Sequence, residues 1–164
     1  MARGWWSAKI HRTWSYFHAS VGVAERADLN GWLTPAQLAL FDAMPAADRR
    51  HGLDVAADLR RAAAGDKALL LAGLLHDCGK GPHVRLSHRV AWSLGGRYGS
   101  WIWRLTGHLP TFEAGLATLR DHASRSAELA SGAGCPARTI ELIRNQESPT
   151  DDAGRLLLAA DEAN

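Results

Sequence analysis

The stretch Leu74-Leu75-His76-Asp77-Cys78-Gly79-Lys80 closes an apolar run with an imidazole and a carboxylate side by side. A buried carboxylate loses several kcal/mol of hydration, so the pair needs a compensating partner. A divalent ion is one such partner: imidazole and carboxylate both ligate first-row transition metals, and neighbours at a helix end can turn toward one ion. The glycines that follow, Gly79 and Gly81, let the backbone turn away and leave an open position. Two side chains hold an ion weakly, so further ligands must come from distant elements. The candidates are His51, on the inward face of its helix with Val55 and Leu59, and Asp161 in the apolar last helix RLLLAADEAN. Each alone has a plainer explanation, a hydrogen-bonded core histidine or a charge at a frayed helix end.

The elements that must position these groups are helical. Ala, Leu, Arg and Glu recur at helical spacing, and β-branched residues never alternate with polar ones over a strand length. Thr34-Pro35-Ala36-Gln37 reads as a capped helix start. Pro45 opens the helix bearing His51, which closes near Gly65, and Asp66 caps a buried central helix over Lys67 to Asp77. A helix is expected from Val84 to Leu94, then a Gly95-Gly96 break and the aromatic segment Trp101-Ile102-Trp103. Thr111 starts a helix leading toward His122, another runs to Ser131, and Gly132 and Gly134 end it. Cys135-Pro136 begins a helix to Gln146, and Ser148-Pro149 separates it from the last one.

Size and composition fit one globular domain: 164 residues, 46% hydrophobic and 22% charged. The longest apolar run, Ala68 to Leu75, is far short of the roughly 18 to 20 residues that span a bilayer. No apolar stretch follows the basic start MARGWW, so no secretory signal is read and the cytoplasm is the expected address. Cys78 and Cys135 are read as free thiols, Cys78 as a small packing residue. A net charge of +2 does not call for nucleic acid. Eight His and seven Trp are many for this length. The arm from Gly4 to Trp14 interleaves tryptophans with basic residues; packing on the domain or on a second subunit, as in a homodimer, is the plainer reading, and single-stranded nucleic acid or a membrane surface the other. His108 reads as surface, and His83, just after the motif, as a candidate substrate contact or a loop residue.

In that order, His51, then His76-Asp77 within LLHDCGKG, then Asp161 near the end of an all-helical chain resemble the H…HD…D pattern of the HD-domain superfamily of metal-dependent phosphohydrolases. The resemblance covers residues 45 to 164. It implies an all-α, single-domain helical bundle of the HD-domain type over residues 31–164, after an N-terminal helical arm over 1–30. By the same resemblance His51, His76, Asp77 and Asp161 ligate a divalent transition ion such as Mn, Fe, Co, Ni or Zn. Many members hold a second ion with two further histidines. His122 stands where the first would fall, but the second point carries Asn145-Gln146, and amide oxygens compete poorly with imidazole for such ions. One ion is therefore expected, with His122 lining the pocket or holding a weaker second ion, and Asn145 as the position to watch.

The activity implied is hydrolysis of a phosphate ester or anhydride of a small molecule, with a nucleotide as the substrate class, by water activated at the ion. Lys80 is the first candidate for the charge that builds on the phosphoryl oxygens, with His122 and Arg125 behind it. His88 and Arg89 are the next candidates for substrate contact, and Asp77 could also orient the attacking water. Three rival readings stand beside this one: a non-catalytic HD module with a structural or ligand-sensing metal, a diiron oxygenase of HD type, and an interaction protein working through the aromatic arm.

Overall fold

The computed structural model describes residues 20–63, 65–82, 84, 86–99, 101–106 and 110–164, and among them it is all-helical. In chain order the helices are α1 (Val23–Leu29), α2 (Pro35–Asp42), α3 (Ala46–Ala63), α4 (Lys67–Leu75), α5 (Leu86–Tyr98), α6 (Trp101–Thr106), α7 (Pro110–Arg120), α8 (His122–Gly132), α9 (Ala137–Arg144) and α10 (Asp152–Ala163), with a single 3-10 turn, Cys78–Lys80, after α4. None of them is long and apolar enough to cross a membrane. The tryptophan-rich arm before residue 20, His83 and His108 lie outside the described residues.

Local sequence chemistry sets the helix starts. Thr34 Oγ1 accepts from the Gln37 N–H at 3.3 Å while Gln37 Oε1 accepts from the Thr34 N–H at 3.0 Å, a reciprocal cap with Pro35 behind it. The Asp66 carboxylate caps α4 by accepting from the Leu69 N–H at 3.0 Å, and Asp151 caps α10 through the Gly154 N–H at 2.8 Å.

The core forms around α4, buried on every side from Leu69 to Leu75. Its neighbours α3, α9 and α10 pack inward through Val55 and Leu59, Leu142 and Ile143, and Leu157 and Ala160. Helices α3 and α4 meet backbone to backbone. A Cβ on Gly52 would lie 2.5 Å from the Leu74 carbonyl oxygen, and one on Gly73 would lie 2.5 Å from Leu59 Cδ1. Gly52 follows His51 and Leu74 precedes His76 by two residues, so this close approach carries both histidines to one place.

Two expectations are corrected. The central helix stops at Leu75, leaving His76 as its C-terminal cap and Asp77 on the turn. The Gly95-Gly96 break is absent, for α5 runs through both glycines to Tyr98. Gly95 makes room there for an indole: a Cβ on it would stand 1.8 Å from Trp103 Nε1, and Trp103 stacks on Trp92 with ring centroids 4.8 Å apart. A glycine pair that looks like helix punctuation is in fact a packing notch. Helix α1 also joins the body, with Leu29 in the core, Arg26 paired with Asp42 and Glu25 with Arg50.

Candidate metal centre

His51, His76 and Asp161 come from three helices that are remote in sequence, and one ligand atom from each lies within 4.8 Å of the others. His51 Nε2 is 2.8 Å from Asp161 Oδ1, and His76 Nε2 is 3.4 Å from the same oxygen. Asp77 joins them from the turn after α4. Its Oδ1 is 3.6 Å from His76 Nε2 and its Oδ2 is 3.9 Å from His51 Nε2. The two imidazole rings meet edge to face at 5.2 Å. The four residues singled out from the sequence thus lie near one another, and His51, His76 and Asp161 could hold a metal ion.

The donor set fits an ion on an independent ground. His76 Nδ1 lies 2.9 Å from the Gly73 carbonyl oxygen, which keeps a proton on Nδ1 and turns Nε2 toward the carboxylates. That Nε2 is buried without a hydrogen-bond partner, since Asp161 Oδ1 at 3.4 Å is beyond the roughly 2.7 to 3.2 Å of a good N–H···O bond. A buried polar atom left unsatisfied costs about 1 to 3 kcal/mol, a cost that ligation would remove. His122 repeats the arrangement. It is buried at the start of α8, its Nδ1 stands 2.6 Å from the Leu119 carbonyl oxygen, and its Nε2 is 3.7 Å from Asp77 Oδ1. Comparison with protein-family models, with curated proteins and with solved structures finds no match to this chain.

Lys80, at the end of the 3-10 turn, reaches back so that its Nζ donates to Asp77 Oδ2. Arg125 is exposed on α8, one turn beyond Asp121, to which its backbone N–H donates at 3.1 Å. His88 and Arg89 lie on α5. His88 is buried between α5 and α7, its ring set edge-on to Phe112 with centroids 4.6 Å apart, and Arg89 donates from Nη2 to the buried Asp48 Oδ2 at 2.7 Å. Asn145 caps α9 and lines a shallow crevice with Arg138, Pro149 and Asp151. Its neighbour Gln146 is the residue that turns to the site, donating from Nε2 to the His76 carbonyl oxygen at 3.2 Å.

Sequence reasoning missed Asp48, Ser126, Gln146 and Glu147. Glu147 stands on the rim with Oε1 3.8 Å from His122 Nδ1. Cys78 is a packing residue, as expected: burial pushes its thiol up to about 12, and it donates weakly to the Ser126 carbonyl oxygen at 3.6 Å.

In the metal-free protein, burial opposes charge on His76, but the carboxylates of Asp77 and Asp161 outweigh it and raise the imidazole to about 9. Burial also opposes charge on Asp77 and Asp161; His76 and Lys80 for the one, and the His51 and His76 rings for the other, more than reverse it and hold both far below the usual carboxylate range. A raised folded-state value means stability that is fully present below pH 6.5 and lost as pH rises through about 9. Chelated protein should therefore lose on the order of 3 kcal/mol across that window. Depressed carboxylates add stability above pH 3.8 that disappears on acidification. Metal-loaded protein should not share the alkaline loss, because an ion takes the neutral imidazole and binds more tightly as pH rises. Thermal denaturation between pH 6 and 10, with and without chelator, checks this.

Proposed function

We propose that the protein is a metal-dependent phosphohydrolase of HD type, acting on a phosphate ester or anhydride of a small molecule, with a nucleotide as the substrate class. The observation that carries this reading is the convergence of His51, His76 and Asp161 on one point, with Asp77 beside them and His76 Nε2 buried without a hydrogen-bond partner. The nucleotide follows from the family resemblance alone. A bound divalent ion would supply Lewis acidity toward a phosphoryl oxygen and toward the attacking water.

The side chains divide the remaining work. His51, His76, Asp77 and Asp161 hold the ion, and the two carboxylates offset its charge. The Lys80 ammonium, paired with Asp77 in the metal-free protein, is one side chain away from any phosphoryl group that reaches Asp77, and it stabilises the charge that builds there. His122, with its proton on Nδ1 and its Nε2 lone pair toward Asp77, is set to accept a proton from water at that edge of the site. Gln146 occupies the region where a second histidine would hold another ion, and its amide is committed to the His76 carbonyl. This supports a centre with one ion.

The test is release of phosphate or nucleotide from a panel of small phosphate esters and anhydrides by protein loaded with manganese, cobalt, iron, nickel or zinc. Turnover that requires the metal and stops on chelation supports the proposal. Turnover unaffected by chelation overturns it, and so does one stoichiometric ion with no turnover on any substrate, which makes the protein a non-catalytic metal module. Two irons per chain would point to oxygenase chemistry instead.

A further inference from the structure

We infer that Ser126 is a positioning residue of the metal centre: its hydroxyl and carbonyl, with the Gln146 amide opposite, clamp the turn that presents His76 and Asp77. The inference rests on reading the four-residue cluster as a metal centre.

The turn needs an external clamp because it has little internal structure. Past Leu75 the chain leaves α4, Asp77 has φ −100° and ψ 3°, and only three residues of 3-10 helix follow. Contacts from outside the turn must therefore hold it. Three such contacts exist. The Gly79 N–H donates to Ser126 Oγ at 2.8 Å, the Cys78 thiol donates to the Ser126 carbonyl oxygen at 3.6 Å, and Gln146 Nε2 donates to the His76 carbonyl oxygen at 3.2 Å. Ser126 is completely buried and Gln146 nearly so.

The fit leaves no room for any side chain on Gly79. A Cβ there would lie 2.5 Å from the Ser126 backbone nitrogen and 2.6 Å from the His122 carbonyl oxygen. Serine is otherwise a poor choice inside a buried helix, where its hydroxyl competes with the backbone. Here the hydroxyl satisfies an N–H that the tight turn would leave buried and without an acceptor. Ser126 also stands four residues after His122, one turn along the same face of α8. The helix thus grips the turn at Gly79 with one residue and faces Asp77 Oδ1 with the other, so the 3.7 Å between His122 Nε2 and Asp77 is fixed by where Ser126 holds the backbone.

Cobalt(II) titration, followed by visible absorption, tests this on the full chain. Ser126→Ala should bind cobalt about 10- to 100-fold more weakly than wild type, as is usual when an outer-shell partner is lost, and should shift the ligand-field bands. Gln146→Met should do the same from the opposite side. The control is Thr139→Val: Thr139 is equally buried, and its hydroxyl donates to the Ala68 carbonyl oxygen at 3.0 Å, at the far end of α4. Thr139→Val should lower the melting temperature and leave cobalt affinity and spectrum unchanged. If Ser126→Ala does not fold, Gln146→Met decides alone. Wild-type affinity and spectrum in the variants, or equal weakening in Thr139→Val, overturns the clamp while leaving the metal centre standing. Failure of the wild-type protein to bind cobalt overturns the metal centre, and the clamp with it.

Discussion

His76→Ala should abolish metal retention, lowering affinity by well over 100-fold, and should take metal-dependent hydrolysis below detection. The magnitude follows from position. His76 is the most enclosed of the candidate ligands at 1% exposure, and its Nε2 is the buried atom that only a ligand would satisfy. Losing an outer-shell partner alone typically costs 10- to 100-fold in affinity, and loss of a ligand costs more. The substitution also removes the cation that faces Asp77 in the metal-free state, leaving Lys80 paired with a buried carboxylate. A lower melting temperature in chelator should therefore accompany the loss of metal. Elemental analysis after dialysis, alongside the phosphate-release assay, reads both effects. A variant that keeps stoichiometric metal would show that His76 is a core histidine and not a ligand.

The second large effect is on stability, at Asp48. This carboxylate is 1% exposed, in the first turn of α3, where the helix dipole favours an acid, and three residues before His51. It accepts from Arg89 Nη2 at 2.7 Å. Removing one partner of a buried ion pair strands the other charge and costs about 3 to 5 kcal/mol. Arg89 retains 19% side-chain exposure, which puts Asp48→Ala at the lower end, about 3 kcal/mol. The double variant Asp48→Ala with Arg89→Met should recover part of the loss, because no buried charge then remains. Urea denaturation of the two variants measures this. An unchanged midpoint in Asp48→Ala would show the pair to be energetically neutral. Helix α5 packs chiefly on α6 and α7, and this pair ties it to the helix that carries His51.

Much of the framework was legible in the sequence because it is local. The Thr34 and Asp66 caps, the apolar α4 and the inward face of α3 are each written within a few turns of chain, where periodicity and capping rules operate. The His51 and Asp161 pair is different. Their side chains meet at 2.8 Å across 110 positions, and only their order around the His76-Asp77 pair singled them out. Residues whose role depends on a partner across helices left no local signal. Ser126, Gln146, Asp48 and Glu147 are four of these. For His88 and Arg89, nearness to the motif in sequence did not show that α5 sets one against Phe112 and the other against Asp48. Gly95 misled because a glycine that makes space for a Trp103 indole has the same letter as one that ends a helix.

Both His76 and His122 have Nδ1 held by a main-chain carbonyl three residues earlier, Gly73 in the last turn of α4 and Leu119 in the last turn of α7. Many metal-binding imidazoles are oriented by a carboxylate side chain, which a single codon change can delete. Here the orienting oxygen belongs to the peptide backbone and is present whatever residue occupies positions 73 and 119. The tautomer of each ring is thereby insulated from mutation at those positions, as long as the helix end keeps its shape. Across variants of this chain, tolerance at Leu119 should be limited by its packing, and at Gly73 by the space that Leu59 and Val55 leave it.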